Sequence, residues 1–286
     1  MKTVLVTGSS SGIGRATVRR LDRAGWRVFA GVRKEEDAAA LREESSPLLE
    51  PLMLDVTDAG AIAAAAERIG AEPGGLDGLV DNAGGAVAGP LEALPIEDFR
   101  RQIELNLTAQ LAVTQAMLPA IRTARGRIVM VSSVGGRVAL PITGAYHAAK
   151  FGLEAIGDSL RQELAPWGIR VVLIEPGSID TPIWSRGEED AERIFEDAPP
   201  RMRELYAATI ERYRQVIRET AERGIPAEKV AARIQHALET RRPRARYLIG
   251  IDAQVMARLK PLVPTPILDR AIARAMAFPK PPDPDS

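Results

Sequence analysis

Thr3-Val4-Leu5-Val6-Thr7-Gly8-Ser9-Ser10-Ser11-Gly12-Ile13-Gly14 stands almost at the start of the chain. An apolar, β-branched run gives way to a glycine-serine turn, and the helical pattern Ile13–Ala24 follows. That order predicts strand, turn, helix. Glycine has no Cβ, so the turn can close tightly and bring backbone N–H groups near an anion. The helix start adds unpaired N–H donors and partial positive charge, which suit a pyrophosphate. Gly8, Ser10, Ser11, Gly12, Ile13 and Gly14 are therefore candidate cofactor contacts. The spacing is Gly-x-x-x-Gly-x-Gly, and no Gly-Lys-Ser/Thr is present, which argues against a triphosphate-hydrolysing loop. Such a turn can also serve topology alone; its place between strand and helix favours the ligand.

Working outward, short β-branched runs alternate with longer helical patterns. The strand candidates are Thr3–Val6, Arg27–Val32, Leu52–Leu54, Gly78–Val80, Arg127–Val131, Arg170–Ile174 and Tyr247–Ile249. Several are apolar at successive positions, as in strands buried on both faces. Helices are predicted over Ile13–Ala24, Glu35–Glu44, Ala59–Ile69, Glu97–Ile121 and Ala145–Leu164. The alternation predicts an α/β fold: one doubly wound, Rossmann-type parallel sheet of about seven strands with helices on both faces. Ligands of such sheets bind at the carboxyl ends of the strands, where the motifs below fall.

The chain has 286 residues, and 38 basic side chains balance 38 acidic ones. That balance argues against a nucleic-acid partner, which needs a net basic footprint. With no Cys, disulfides, thiolate nucleophiles and Cys-ligated zinc are excluded, and two His, His147 and His236, leave little for a metal site. Both His read as structural. No secretory pattern precedes the first strand, and no stretch approaches about 18 apolar residues, so no membrane span and a cytoplasmic location are expected. Residues 1–278 read as a single domain, and the Pro- and Asp-rich tail Pro279–Ser286 as disordered.

The second strand ends Ala30-Gly31-Val32-Arg33-Lys34. Val32 stands where a carboxylate would grip the ribose of NAD, and Arg33 comes next. An Arg there can pair with a 2′-phosphate, which favours NADP(H) over NAD(H). Arg33 and Lys34 could otherwise be a solvated strand end.

Tyr146 and Lys150 are four residues apart and share a helix face, with Ser133 at the end of the preceding strand. Moving a hydride to or from a carbonyl needs a proton donor or acceptor. Tyr can serve, but its ordinary pKa is about 10, and a nearby ammonium would lower it. A lone Tyr-x-x-x-Lys is usually a surface pair; its place after the fifth strand, with Ser133 upstream, favours chemistry. Asn106 interrupts the apolar pattern Ile103, Leu107, Leu111, and a buried amide there needs hydrogen bonds. No Gly-x-Ser-x-Gly elbow surrounds Ser133, which argues against a hydrolase.

These motifs together resemble the short-chain dehydrogenase/reductase family. The resemblance runs from residue 3 to about residue 182 through the glycine turn, Asp55-Val56, Asn82-Ala83-Gly84, Asn106, Ser133, Tyr146, Lys150, Pro176-Gly177 and Thr181. It implies that Tyr146 is the general acid/base and that Lys150 lowers its pKa and holds the nicotinamide ribose. It further implies that Ser133 positions the substrate oxygen and Asn106 anchors a relay water. By the same resemblance Asp55 contacts the adenine, Asn82 supports the sheet and cofactor, and Thr181 binds the nicotinamide amide. Asp81 stands where many relatives carry Asn, a departure expected to cost no function.

Beyond Thr181 the pattern Met202, Leu205, Tyr206, Ile210, Tyr213, Ile217 recurs at helical spacing and reads first as core. Its place after the nicotinamide segment also suits a lid, expected over residues 183–225. Leu140, Ile183 and Trp184, with Val87 and Ile142, are candidate walls of an apolar substrate pocket. The C-terminal pattern is similar to the hydroxysteroid and retinol dehydrogenase branch. The apolar face Ile267, Leu268, Ala271, Ile272, Ala275, Met276 could pack, meet a partner or rest on a membrane surface, packing being the default. The long helices pair between subunits in the resembled family, which implies a homodimer or homotetramer.

The expected function is hydride transfer between NADP(H) and a small-molecule secondary alcohol or ketone, bulky and apolar. The alternatives are a catalytically idle dinucleotide-binding sensor, which would usually lack the Tyr or Lys, and a sugar-nucleotide epimerase or dehydratase, which would need a longer C-terminal region.

Overall fold

A computed structural model describes residues 1–181 and 183–278, apart from the side chains of 184–189 and 220–223. The expected tail 279–286 lies outside the described residues. The elements run β1 (Thr3–Val6), α1 (Gly12–Arg23), β2 (Arg27–Val32), α2 (Glu35–Glu44), β3 (Leu49–Met53), α3 (Ala59–Gly70), β4 (Gly78–Asp81) and α4 (Ile96–Ile103). A π turn (Glu104–Thr108) leads into α5 (Ala109–Ala124), then β5 (Arg127–Val131), α6 (Gly144–Glu163), β6 (Arg170–Pro176) and β7 (Ile179–Asp180). The chain continues with α7 (Ile183–Asp197), α8 (Pro200–Arg223), β8 (Ile225–Pro226), α9 (Ala227–Glu239), β9 (Arg246–Ile249), α10 (Ile251–Leu259) and α11 (Thr265–Ala275).

The main sheet has seven strands in the order β3-β2-β1-β4-β5-β6-β9, all parallel, as the alternation predicts. Strand side chains alternate between two cores. Val4, Val6, Val28, Val80, Val129 and Val172 face α1 and α9, where Val18, Leu21, Val230 and Ile234 are buried. Leu5, Phe29, Leu79, Ile128, Met130 and Leu173 face α3, α5 and α6, where Ile69, Val113, Met117 and Leu153 are buried. Burial on both faces explains the near-continuous apolar strands.

Several elements differ from expectation, three of them instructively. β3 starts three residues earlier than Leu52 and contains Pro51. It is an edge strand paired only with β2, so the missing N–H of Pro51 breaks no ladder. The single helix expected over Glu97–Ile121 is α4, the π turn and α5 in succession. α9 was not foreseen, although its buried Val230, Ile234 and Leu238 follow helical spacing.

Helices α7 and α8 occupy the stretch expected as a lid. Ala191, Ile210, Tyr213 and Ile217 pack with Ala88, Ile142 and Met276 in a third core, separate from the two beneath the sheet. Of the apolar stripe on α8, Ile210, Tyr213 and Ile217, with the half-buried Tyr206, are therefore core, whereas Leu205 is exposed. Met276 and Ile272 of the C-terminal face join that core, whereas Ile267 stays exposed. No helix among the described residues is long and apolar enough to cross a membrane.

Candidate active site

A cleft of about 200 Å³ runs along the carboxyl ends of the sheet strands. Its walls come from the turns after β1 (Gly8, Ser10–Ile13), β2 (Arg33), β3 (Leu54, Val56), β4 (Asn82–Ala86), β5 (Ser132, Ser133) and β6 (Pro176, Gly177). Tyr146 and Lys150 of α6, Asn106 of the π turn, and Thr181 and Ile183 complete it. The connections reverse direction between β1 and β4, the switch point where open sheets bind ligands.

At one end, the glycine turn is fastened to β4. Thr7 Oγ1 accepts from Asn82 N and Ala83 N, both at 2.9 Å, and Asn82 Nδ2 donates to Thr7 O at 2.9 Å and Gly8 O at 3.1 Å. Gly8 has φ +66°, and a Cβ there would lie 2.8 Å from Ala83 Cα. The first turn of α1 holds no acidic residue, and Ser11 caps it without a side-chain bond. Ser11, Gly12 and Ile13 at this helix start, with its unpaired N–H donors, line the cleft, and so does the exposed Arg33. These donors fit a dinucleotide phosphate chain.

Further along the cleft stand Ser133, Tyr146 and Lys150. Ser133 Oγ accepts from Gly135 N at 3.0 Å and is hydrogen-bonded to Tyr146. Lys150 Nζ donates to Val131 O at 2.8 Å and lies 5.8 Å from the Tyr146 ring centre. Burial pushes the phenol above its ordinary value, opposed by the Ser133 hydrogen bond. This corrects the expectation that Lys150 brings it down: within the protein alone, loss of water around the phenolate outweighs what opposes it. Burial also pulls the Lys150 ammonium down to about 8, against the charge of Glu154 one turn on.

Other expected residues fall into place or out of it. Asn106 gives both polar atoms to one backbone unit, accepting from Gly85 N at 2.9 Å and donating to Gly85 O at 2.8 Å. Asp55 does not line the cleft; it accepts from Thr57 N at 2.9 Å and Thr57 Oγ1 at 2.8 Å. Burial raises the Asp55 carboxyl, but the Thr57 bonds and the charge of Arg33 more than offset it. Gly14 is also absent from the cleft, because it packs inward: a Cβ there would sit 2.1 Å from Gly8 O. Leu140 points to solvent, while its loop neighbours Val138 and Ile142 turn into the protein. Val87 and Ile142 are buried away from the cleft, so of the expected apolar walls Ile183 is the one on it. The side chain of Trp184 lies outside the described residues. His147 bridges Gly135 O at 2.8 Å and Thr143 Oγ1 at 3.0 Å, a structural role as read. Gly31, Leu54, Gly85, Ala86, Leu105, Val131, Ser132 and Ile179 also line the cleft without being predicted; apart from the Ser132 hydroxyl they carry no chemical signature, only proximity to strand ends.

A dinucleotide cleft joining a glycine turn to a Ser-Tyr-Lys group defines a nicotinamide-dependent oxidoreductase of the Rossmann type. The short chain dehydrogenase family matches residues 2–192, and the chain belongs to that family. It is 39% identical over 285 residues to short-chain dehydrogenase/reductase family 9C member 7 of Bos taurus, covering 97% of this chain and 91% of that one. It is 36% identical over 290 residues to 17-beta-hydroxysteroid dehydrogenase type 6 of the same organism, covering 98% and 90%. These likenesses fit the hydroxysteroid and retinol dehydrogenase branch. A short chain dehydrogenase from Burkholderia cenocepacia J2315, solved in complex with NADP, superposes with a TM-score of 0.72 at 27% identity, covering 98% of this chain and 100% of that one.

Proposed function

We propose that this oxidoreductase uses NADP(H) and acts on a secondary alcohol or ketone that is bulky and apolar. The observation that carries the reading is the hydrogen-bonded Ser133–Tyr146 pair with Lys150 one turn away, on the cleft that the glycine turn also lines. When bound, a nicotinamide dinucleotide supplies or accepts the hydride. The α1 N–H groups hold its phosphates, and Arg33 meets a 2′-phosphate with no carboxylate at Val32 to repel it. Tyr146 Oη gives or takes the proton at the substrate oxygen, and Ser133 Oγ holds that oxygen in line. Lys150 keeps a positive charge near the phenol and holds the ribose; Thr181 meets the carboxamide. The apolar Ile183 and Leu105 on the wall, and the 17-beta-hydroxysteroid dehydrogenase likeness, support an apolar substrate. The NADP in the Burkholderia structure supports the cofactor. With Tyr and Lys both present, an idle sensor is the weaker reading.

The test is a panel of aliphatic, aromatic, steroid and retinoid carbonyls followed by NADPH absorbance. Tyr146→Phe should lower kcat by roughly 10²–10⁴-fold and keep NADPH binding. Full activity in that variant would refute the proton-transfer role, and equal kcat/KM with NADH would refute the reading of Arg33.

A further inference from the structure

Four buried polar side chains lie along one face of the α4–α5 rod: Gln102, Asn106, Gln110 and Thr114. Each meets the chain segment that leaves β4. Gln102 Oε1 accepts from Val87 N at 2.6 Å, and its Nε2 donates to Gly85 O at 3.0 Å. Asn106 clamps Gly85, Gln110 Nε2 donates to Ala83 O at 2.8 Å, and Thr114 Oγ1 donates to Asp81 Oδ2 at 2.7 Å. The rungs pair 87 with 102, 85 with 106, 83 with 110 and 81 with 114. Two residues of extended chain span about 6.6 Å, and four residues of helix about 6 Å, so the two sides keep step. In an α-helix, side chains four apart drift by about 40° per step. The wider π turn at Glu104–Thr108 rotates less per residue and keeps Asn106 in line.

The last two rungs each leave one acceptor without a donor. Asp81 Oδ1 and Gln110 Oε1 are both buried and have no hydrogen-bond partner. Asp81 is fully buried, and among the described residues no cation stands beside it. β1 carries no titratable side chain. Arg127 of β5 is at the far end of that strand, donating to Ala237 O, and Arg122 of α5 lies over the Trp167 ring. A lone buried carboxylate is costly, whereas one proton would satisfy both orphan oxygens.

We propose that Asp81 is a neutral acid at the end of this ladder, and that its proton, donated from Oδ1 to Gln110 Oε1, holds Gln110 on Ala83 O and so positions the Ala83–Ala86 wall for the cofactor. Asp81 is thus a positioning residue acting through Gln110, and it does as a protonated acid what a carboxamide would do at every pH. The inference rests on the reading of that wall as part of the cofactor site. Burial raises the Asp81 carboxyl to about 7, against the Thr114 hydrogen bond. The native carboxyl therefore keeps a proton that the unfolded chain sheds above about pH 4. Its contribution to ligand-free stability is whole below that pH and declines as pH rises toward the native value.

The test is NADPH affinity from about pH 6 to about pH 8.5, with ligand-free thermal unfolding from about pH 5 upward, in wild type and Asp81→Asn. Wild-type Kd should weaken about fivefold across the range, the worth of one net hydrogen bond. The wild-type unfolding midpoint should fall between about pH 5 and about pH 7, and both slopes should be shallower in Asp81→Asn, where only the remaining groups such as Lys150 and His147 still titrate. Equal slopes in both proteins, or a flat wild type, would overturn the proposal. Should Asp81→Asn not fold, Thr114→Val decides: losing the bond that favours the carboxylate must move the wild-type transition to higher pH, and an unmoved transition refutes it. If neither protein binds NADPH at any pH, the cofactor reading fails. The unfolding slopes then decide the proton by themselves, a steeper slope in wild type upholding it and equal slopes overturning it.

Discussion

The two ends of the cleft are built on different principles. The glycine-turn end is made of backbone at strand ends, where Thr7 and Asn82 tie the turn after β1 to the turn after β4 by short bonds between segments about 75 residues apart. The Ile183 end leans on helices α7 and α8, whose apolar side chains form a small core of their own outside the sheet. Among the ties of α7 to the rest are Arg193 Nη2 to Asp98 Oδ2 at 3.1 Å and Ile194 beside Gly89. The difference teaches that the two ends should yield separately, since one is tied into the sheet and the other leans on a satellite core.

Ile210→Ala should give the largest effect. Ile210 is 1% exposed in the third core, and its truncation should cost about 3 kcal/mol of local packing. Substrate KM should rise while NADPH Kd stays put; a matching change in Kd would show that the two ends are not separable. Gly14→Ala breaks the other end. Its Cβ would strike Gly8 O, so unfolding by denaturant should show a loss of about 2 kcal/mol, with NADPH binding lost before substrate selectivity changes.

The pH response tests the Ser-Tyr-Lys group where the ends meet. With the Lys150 ammonium held down to about 8, turnover should fall roughly tenfold between about pH 7 and about pH 9 as the charge is lost. Stability should move oppositely: the buried ammonium is a burden below the native value, and that burden lifts as pH rises toward the unfolded value of about 10.4. Lys150→Met should remove both responses. The smallest effect is expected for Arg33→Ala, which should weaken NADPH about fivefold and leave NADH nearly unchanged; equal losses for the two would separate Arg33 from phosphate reading.

Much of this was legible in the chain. Strands β1, β2 and β5 and helix α2 fall where local pattern puts them, because apolar β-branched runs and helix periodicity are local properties. So do Ser133, Tyr146 and Lys150, whose chemistry is rare enough to stand out. Pro51 hid the start of β3, since only a neighbour's absence on one side makes a strand proline harmless. Gly14 and Leu140 were misplaced for a related reason: a residue's type does not say whether it points at a ligand, at a carbonyl or at water.

The sequence by itself determined the alternation of strands and helices from β1 to β6, the glycine turn and the identities of Ser133, Tyr146 and Lys150, since each is carried by residues close together in the chain. Tertiary structure alone decided the direction of the Tyr146 and Lys150 shifts and the step-for-step ladder from Asp81 to Val87. The physical reason is that burial and pairing belong to the space between distant segments: Thr114 meets Asp81 only because a helix turn and two extended residues have nearly the same length.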